Sequence, residues 1–319
     1  MKLGIVGNGV IVEEVLSFIH EIWTDEIYIC GRAQSRDKLE TLAKRYELAR
    51  VFVDYQEFLQ SDVEVVYIGL LNDLHVEYAT MAIRKGKHVI CEKPMAPTLL
   101  ETKQLAREAA DAGVLLFEAM SVYHMPAFMQ LQKDLQLIGE VKMCNFNYSQ
   151  MSRRYAAFHE GKQTPAVFDP AHAAGCLRDL NVYNIAAAVG LFGKPKNVQY
   201  FPNMERGIDT SGVLVASYDG FQCVLMAAKE CTAPGPSTIQ GVEGTITIYP
   251  HVNGMTGYEI HFNDGRPDVT VSFDDAVSRL YYEFLEYQRI IDSSDEVAYE
   301  KLQEYTAAAA WVVDEAALH

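Results

Sequence analysis

The sequence lacks the marks of a secreted, metal-binding or membrane-spanning protein. Its six cysteines are scattered without CxxC spacing, which argues against a zinc site or a disulfide framework and is typical of the reducing cytoplasm. No apolar run reaches the roughly 18 residues that a spanning helix needs, and the first residues look like a strand rather than a signal peptide. We therefore expect a cytoplasmic protein with neither a metal ion nor a membrane partner.

Positive charge is also scarce. The chain carries 27 Lys and Arg residues against 43 Asp and Glu residues, which gives a formal net charge of −16. Such a surface repels the phosphate backbone, so a nucleic acid is not expected as a partner. With 319 residues, 49% of them hydrophobic, the chain is long enough for two domains with separate cores.

Short apolar runs alternate with amphipathic stretches over residues 1–119, a pattern typical of βαβ units around a parallel sheet. Strands are predicted at residues 2–6, 26–30, 51–53, 63–70, 88–91 and 115–118. Helices are predicted near residues 10–22, 35–46, 55–59, 74–85 and 98–112. The last helix should begin at the capping box Thr98-Leu99-Leu100-Glu101 and end at Gly113. We expect residues 1–119 to form an α/β domain with a Rossmann fold.

The pattern changes after residue 119. Helices are predicted at residues 126–137, 177–192, 275–291 and 300–318. Strands are predicted at residues 141–149, 213–218, 221–228, 239–241, 245–249, 258–262 and 268–271. Asp219-Gly220 lies between two of these strands and is a strong hairpin signal. We expect residues 120–319 to form a second, α+β domain with an open, mainly antiparallel sheet.

A glycine-rich turn directly follows the first strand and precedes an amphipathic helix. The first glycine allows a tight turn, and the second lets backbone N–H groups approach a pyrophosphate at the helix N-terminus. Val12 occupies the third position, where a small residue is usual. The context is that of a dinucleotide-binding turn, although a glycine pair after a first strand also serves simply as a turn. The turn residues predicted to bind cofactor are Gly7, Asn8, Gly9, Val10 and Ile11.

The end of the second strand bears on the choice between NAD and NADP. NAD sites usually place an acid there to bind the ribose 2′-hydroxyl, but this chain has no acid until Asp37. It offers Arg32, Ser35 and Arg36 instead, and a guanidinium with a hydroxyl suits a 2′-phosphate. Two solvated arginines at a helix start are the alternative interpretation. We expect NADP(H) to be favoured over NAD(H).

Polar groups follow the fourth and fifth strands, at the edge of the sheet where open α/β folds bind their ligands. After the fourth strand come Leu71, Asn72 and His75, although Asn72 is equally a helix-start residue. After the fifth strand comes Glu92-Lys93-Pro94, in which Lys93 is either a surface lysine near a turn or a charged group held at a fixed corner. The sequence predicts that these residues border the cofactor.

These motifs, together with the segment Gly175-Cys176-Leu177-Arg178-Asp179-Leu180-Asn181-Val182-Tyr183, resemble the glucose–fructose oxidoreductase / inositol dehydrogenase / rhizopine-catabolism (Gfo/Idh/MocA) family. The resemblance runs from end to end. It is strongest to the branch of the dimeric dihydrodiol dehydrogenases and glucose–fructose oxidoreductase, which carries a tyrosine where many members have histidine. It implies an NAD(P)-dependent oxidoreductase that interconverts a small alcohol (a sugar, a polyol or a trans-dihydrodiol) and its carbonyl.

The resemblance also assigns catalytic roles. Lys93 should touch both the cofactor and the reacting hydroxyl, Tyr183 should act as acid/base, and Asp179 should bind a neighbouring hydroxyl. The spacing of Asp179 and Tyr183 places both on one face of an α-helix. A nearby ammonium group favours the phenolate of a tyrosine, whose ordinary pKa is about 10. Two departures from the family pattern, Arg178 and Asn181, leave the substrate open, because Arg178 could pair with Asp179 or bind an anionic group.

Two further expectations concern partners and an alternative function. Relatives of this family commonly associate through the second-domain sheet, which implies a homo-oligomer, most simply a dimer. The apolar residues on one face of this sheet or the other are Val213, Val215, Val224 and Met226.

Some relatives instead act as non-catalytic regulators that sense a cofactor or a sugar. Cofactor binding without turnover of any alcohol would favour that alternative.

Overall fold

A computed structural model describes residues 1–233, 235–274 and 276–318. The chain divides into two compact units. The first consists of Met1–Ala119 together with Leu280–Glu304, and the second consists of Met120–Arg279 together with the chain from Tyr305 onward.

The first unit contains a six-stranded, entirely parallel sheet with the strand order β3-β2-β1-β4-β5-β6. Its strands are β1 (Leu3–Val6), β2 (Ile27–Cys30), β3 (Arg50–Phe52), β4 (Val65–Ile68), β5 (His88–Glu92) and β6 (Leu116–Ala119). This order confirms the predicted Rossmann fold. The chain reverses its direction of travel across the sheet between β1 and β4, and ligands of such folds bind at this switch point.

Six helices accompany this sheet: α1 (Val10–Leu16), α2 (Ile19–Ile22), α3 (Arg36–Arg45), α4 (Tyr55–Leu59), α5 (His75–Arg84) and α6 (Leu99–Ala112). The helix predicted over residues 10–22 is divided in two, because the backbone at Phe18 leaves the helical region. The capping of α6 is as predicted. The Thr98 hydroxyl oxygen accepts a hydrogen bond from the Glu101 N–H at 3.2 Å, and Gly113 ends the helix in the left-handed conformation.

The second unit contains an eight-stranded sheet with the order β14-β13-β12-β11-β7-β10-β9-β8, in which only β7 and β10 are parallel neighbours. Its strands are β7 (Val141–Ser149), β8 (Asn197–Glu205), β9 (Ile208–Ser217), β10 (Gln222–Ala228), β11 (Ser237–Gly241), β12 (Gly244–Tyr249), β13 (Gly257–Phe262) and β14 (Val269–Ser272). The mainly antiparallel sheet confirms the predicted α+β architecture, and Asp219-Gly220 does connect β9 to β10.

Strand β8 is absent from the prediction, and β9 begins five residues earlier than the predicted 213. β8 is an edge strand that contains Pro202, and most of its residues are exposed. Proline is tolerated at sheet edges, but it weakens the apolar pattern by which strands are recognised in a sequence.

Three helices precede the end of this sheet in the chain: α7 (Pro126–Asp134), α8 (Tyr155–His159) and α9 (Val182–Phe192). The helix predicted over residues 177–192 begins as a π-helical turn, Leu177–Asn181, before it becomes α9. The prediction that Asp179 and Tyr183 share one uninterrupted α-helix is therefore wrong, because Asp179 lies in the π-helical turn and Tyr183 in α9.

The last two helices are α10 (Arg279–Ser293) and α11 (Glu296–Ala316). The predicted start of the first of these, Asp275, lies outside the described residues. Leu280, Phe284 and Tyr287 of α10 are buried in the core that contains Leu3 and Ile5 of β1. The boundary predicted after residue 119 placed α10 in the second domain, whereas its apolar face packs in the first unit. None of the helices in the described part of the chain combines the length and apolarity needed to cross a membrane.

Candidate active site

A cavity of about 520 Å³ opens beside the carboxyl ends of β1, β2 and β4 in the first unit. Its size is within the usual range for small-molecule and cofactor sites. Seven of the residues predicted to bind a cofactor line this cavity: Gly7, Asn8, Gly9, Ile11, Arg32, Ser35 and Leu71. The motifs after three separate strands therefore meet around one space.

The two glycines of the turn have different physical roles. Gly7 has φ = +123°, and a Cβ there would lie 2.4 Å from the carbonyl oxygen of Gly69, so no other residue fits. Gly9 has ordinary extended dihedral angles, and a Cβ there would meet no protein atom within 4 Å. The absence of a side chain at Gly9 keeps open a space beside the backbone, as close approach of a pyrophosphate requires.

Val12, which departs from the expected small residue, is accommodated by a glycine on the neighbouring loop. Its side chain is fully buried, and its Cγ2 lies 2.7 Å from where a Cβ of Gly69 would be. Helix and sheet still pack closely, because the residue without a side chain is Gly69 after β4 and not the residue at position 12 of α1.

One end of the cavity combines a cation with two aromatic rings. Arg32 lines it with Tyr55 and Tyr78, whose ring centroids are 4.5 Å apart. Burial raises the pKa of Tyr78, and the Arg32 guanidinium acts in the opposite direction, which places these two groups within electrostatic reach. Tyr55 and Tyr78 lie in no recognisable sequence motif, so the sequence does not predict them at this site.

An acid also reaches this end of the cavity. Asp54 lines the wall, but its carboxylate accepts a hydrogen bond at 2.8 Å from the backbone N–H of Glu57 and caps α4. It follows β3 and not β2, where NAD sites usually carry their acid. Arg36, predicted to bind the cofactor, pairs with Glu40 on the surface of α3 at 3.5 Å.

Six predicted residues, all within the described part of the chain, are not in the wall of this cavity: Val10, Arg36, Asn72, His75, Glu92 and Lys93. The Val10 side chain is 82% exposed. Glu92 is buried, and its carboxylate accepts a 2.8 Å hydrogen bond from the Tyr67 hydroxyl. Lys93 follows β5 and is half-buried, and its peptide bond to Pro94 is cis.

His75 holds the ends of two strands together. Its ring is fully buried, with Nδ1 2.9 Å from the Pro94 carbonyl oxygen and Nε2 3.2 Å from the Leu70 carbonyl oxygen. Burial lowers the pKa of His75 and Lys93 acts in the same direction, while the hydrogen bonds to the two carbonyl groups oppose this shift. The sequence placed His75 beside the cofactor, whereas in the structure it supports the loops after β4 and β5.

In the second unit, Asp179 forms an ion pair that no sequence motif predicts. Its Oδ2 lies 2.7 Å from Nζ of Lys229, a lysine that follows β10 and is almost completely buried. Arg178 was the partner considered from the sequence. Its guanidinium instead lowers the pKa of Asp209, a carboxyl group whose pKa is raised overall by burial. The only local signal for Lys229 is a charged residue directly after an apolar strand.

Tyr183 lies in the first turn of α9 and is buried among aromatic and cationic groups. The Tyr148 ring meets it edge-on at a centroid distance of 5.7 Å, and the Arg279 guanidinium lies 5.6 Å from its centroid. Arg279 also donates a 2.6 Å hydrogen bond to the Ser121 hydroxyl.

Asn181, the second departure from the family pattern, has a structural role. It is fully buried, and its Nδ2 donates to the Leu225 carbonyl of β10 at 3.2 Å. Asn184 donates both to Asn181 Oδ1 and to the Met226 carbonyl, each at 2.8 Å. These hydrogen bonds fix the helix on the sheet, so the identity of Asn181 is explained by packing and does not indicate a substrate.

Family comparisons agree with this arrangement. Residues 1–120 match the oxidoreductase family with an NAD-binding Rossmann fold, and residues 134–247 match the GFO/IDH/MocA C-terminal domain. The chain belongs to the Gfo/Idh/MocA family of oxidoreductases, as its motifs predicted.

Similar proteins cover the whole chain or most of it. The scyllo-inositol 2-dehydrogenase (NADP⁺) of Bacillus subtilis is 35% identical over 318 residues, covering 99% of this chain and 96% of the relative. The trans-1,2-dihydrobenzene-1,2-diol dehydrogenase of Xenopus tropicalis is 24% identical over 255 residues, covering 77% and 74%. A solved structure of a 3-ketoreductase from Actinomadura kijaniata with NADP and TDP-benzene has a TM-score of 0.86 at 20% identity, covering 100% and 97%. The last likeness establishes the fold.

Proposed function

We propose that this protein is an NADP(H)-preferring dehydrogenase or reductase of a small cyclic polyol or sugar. The observation that carries the proposal is the first-unit cavity, in which the glycine turn and Arg32 line one space. The 35% identity to an inositol dehydrogenase named for NADP⁺ supports both the cofactor and a cyclic polyhydroxylated substrate.

The residues of the cavity fit an NADP molecule. The open space at Gly9 suits a pyrophosphate, the Tyr55–Tyr78 pair offers an aromatic face for a base, and the exposed Arg32 guanidinium suits a 2′-phosphate. The Asp54 carboxylate caps α4 and follows β3, not β2, where NAD sites usually carry the acid that binds the ribose 2′-hydroxyl.

A bound nicotinamide supplies the hydride acceptor or donor, which leaves the protein to orient the alcohol and to move its proton. We assign proton transfer at the phenolic oxygen to Tyr183, stabilisation of the charged phenolate to Lys93, and binding of an adjacent substrate hydroxyl to Asp179. Lys93 belongs to the first unit and Tyr183 to the second, and their cooperation in one reaction is inferred from the family resemblance. Arg279 adds a second positive charge beside the Tyr183 ring.

We also propose that the protein forms a dimer through the exposed face of its second sheet. Phe201, Val213 and Met226 are Cα partners on the adjacent strands β8, β9 and β10, so they form one apolar row on one face. Val215 and Val224 form a second row beside it. The four residues predicted from the sequence, namely Val213, Val215, Val224 and Met226, thus lie on the same face and are half-buried. Phe201, on the same face, is 58% exposed.

A turnover screen tests the proposal. Cyclic polyols, sugars and their carbonyl counterparts are incubated with the purified protein and either NADP(H) or NAD(H), and absorbance of the reduced nicotinamide is followed. We expect turnover with at least one cyclic polyol and a higher kcat/KM with the phosphorylated cofactor. Tight NADP(H) binding without turnover of any compound would favour the regulatory alternative.

We infer a cytoplasmic location from the six free cysteines, five of which are buried thiols.

A further inference from the structure

Lys229 is a charged residue in an unusual place. It directly follows β10, and its side chain is only 2% exposed. An ammonium group removed from water is strongly destabilising unless other groups compensate for its lost hydration. Three groups do so: the Asp179 carboxylate at 2.7 Å, the Val167 carbonyl oxygen and the Phe168 ring, whose centroid is 4.5 Å away.

The two partners of this ion pair differ in accessibility. The Asp179 side chain is 31% exposed, whereas Lys229 is closed off behind it. A small molecule that reaches this part of the second unit can therefore touch the carboxylate but not the ammonium.

We propose that Lys229 is a positioning residue, whose buried ammonium keeps Asp179 ionised and directed toward a substrate hydroxyl. The inference rests on the proposed function, in which Asp179 binds a hydroxyl group beside the reacting carbon. An ionised carboxylate is an acceptor only, so it selects a substrate that donates a hydroxyl hydrogen at this place. The lysine confers this preference on the site without touching the substrate itself.

Other charged groups surround the pair and must be separated from its effect. Burial raises the pKa of Cys176, with further contributions from Asp209, Asp179 and Glu230, while Lys229 opposes them. Asp209 accepts hydrogen bonds from the Leu177 N–H at 2.7 Å and the Tyr200 hydroxyl at 2.8 Å. Glu230 accepts one from the Ser211 hydroxyl at 2.6 Å.

Arg178 is a further charged neighbour, and it interacts with Asp209. Lys229 itself is in direct contact with Asp179, at 2.7 Å between Nζ and Oδ2. The neighbouring carboxylates and Arg178 are unchanged in a Lys229 variant, so a change in the behaviour of Asp179 is attributable to the lysine.

The test is a comparison of Lys229→Met with Lys196→Met in the complete protein. Lys196 forms an ion pair with Asp219, but both side chains are highly exposed, which makes it a matched control. For Lys229→Met we expect the polyol KM to rise about 10–100-fold, as when a hydrogen bond to a charged group is lost, with the KM for NADP⁺ unchanged. The acid limb of kcat/KM for the polyol should move upward by about 1–3 pH units, because a carboxylate without its cation is protonated more readily. The conservative variant Lys229→Arg keeps the positive charge, so its polyol KM and acid limb should stay close to those of the unmutated protein.

A second comparison covers the case in which Lys229→Met does not fold. The double variant Asp179→Asn/Lys229→Met contains no buried charge from the pair, and its polyol KM should equal that of Asp179→Asn alone. A double variant that binds polyol much more weakly than Asp179→Asn would show that Lys229 acts by itself, and would overturn the inference. So would an unshifted acid limb and an unchanged polyol KM in a folded Lys229→Met.

Failure of the proposed function has a different signature. If Asp179→Asn has a normal polyol KM and kcat, the role assigned to Asp179 is wrong, and the inference about Lys229 falls with it. If Asp179→Asn is impaired and Lys229→Met is not, the proposed function stands and only the inference fails. Circular dichroism and thermal unfolding of each variant show that the compared proteins are folded.

Discussion

Individual residues in the first unit divide into those that face the cavity and those that hold its walls in place. Arg32 faces the cavity, whereas His75 and Glu92 are buried behind the loops after β4 and β5. Cofactor selectivity should therefore depend on Arg32, and local stability should depend on His75. In the second unit, Tyr183 is the residue on which the chemistry should depend.

Arg32→Ala should weaken binding of NADP(H) by about 1–3 kcal/mol and leave NAD(H) binding almost unchanged, because a charge-assisted contact to the 2′-phosphate is lost. Titration of the reduced cofactors by fluorescence measures both affinities. Arg36→Ala provides the comparison, since Arg36 pairs with Glu40 outside the cavity wall and should matter less. Equal affinities of the unmutated protein for the two cofactors would contradict this prediction.

Tyr183→Phe should lower kcat by roughly 10²–10⁴-fold, the usual loss when a general acid/base is removed. NADP(H) affinity should hardly change, because every residue that lines the cavity lies in the first unit. Lys93→Met should reduce kcat at least as much, and the double variant should lose less than the product of the two effects. Steady-state kinetics on the best polyol measure all three variants. A Tyr183→Phe enzyme with near-normal kcat would exclude the assignment.

His75 predicts a pH dependence of stability. Burial lowers its pKa in the folded protein, so the unfolded chain takes up a proton first as the pH falls through the ordinary histidine value of about 6.5. The contribution of His75 to the stability of the folded protein should therefore be complete above that pH. Below it, the free energy of unfolding should decrease. Burial also lowers the pKa values of His88 and His251, which contribute in the same direction.

Denaturant unfolding measured between about pH 5 and pH 8 should show this decrease, and His75→Asn should make it shallower. His261→Asn is a suitable control, because the His261 side chain is largely exposed. The same pH slope in His75→Asn and in the unmutated protein would show that His75 does not contribute.

Among the structural elements, the turn between β1 and α1 has the sharpest local requirements. Two glycines separated by one residue serve different purposes there: Gly7 is needed by the backbone, and Gly9 keeps space open. Val12 in α1 depends in turn on Gly69 after β4, so the turn and the loop facing it form one packed arrangement.

Gly7→Ala should destabilise the protein by about 1–3 kcal/mol or more, because its φ of +123° is unfavourable for alanine and its Cβ would contact the Gly69 carbonyl. Gly9→Ala should fold with nearly normal stability and should bind NADP(H) at least tenfold more weakly, since the methyl group occupies ligand space. Thermal unfolding and cofactor titration of both variants distinguish the two roles. Normal NADP(H) affinity in Gly9→Ala would mean that the pyrophosphate does not approach this backbone.

At the scale of the whole molecule, the apolar rows on β8, β9 and β10 must be weighed against a net charge of −16 on each copy. Long-range repulsion between two acidic chains is screened over about 8–10 Å at physiological salt, so an apolar contact can still form. In the proposed dimer, the rows would supply that contact at the centre of a two-fold interface.

Light scattering at micromolar concentration should give the mass of a dimer, and Phe201→Asp should shift it toward the monomer. Phe201 is 58% exposed within one chain, so this change should leave folding intact. Leu100→Asp, at an exposed residue of α6, should leave the dimer unchanged. A monomer mass for the unmutated protein would refute the interface.

Signals within short stretches of sequence were sufficient for much of this molecule. Alternating apolar runs predict the six-stranded parallel sheet, the capping box and Gly113 predict both ends of α6, and Asp219-Gly220 predicts the β9–β10 connection. The glycine turn and Arg32 line one cavity, because residues after neighbouring parallel strands meet at the same edge of a sheet.

Contacts between distant parts of the chain were decided only by the tertiary structure. No local sequence pattern predicts three of these contacts. They are the pairing of Lys229 with Asp179, the two tyrosines at the Arg32 end of the cavity, and the packing of α10 in the first unit. An apolar helix face buries equally well against any apolar surface, and a lone lysine after a strand is ordinarily solvated. Which surface covers the helix, and which carboxylate meets the lysine, depends on how the folded chain fills its interior and compensates its buried charges.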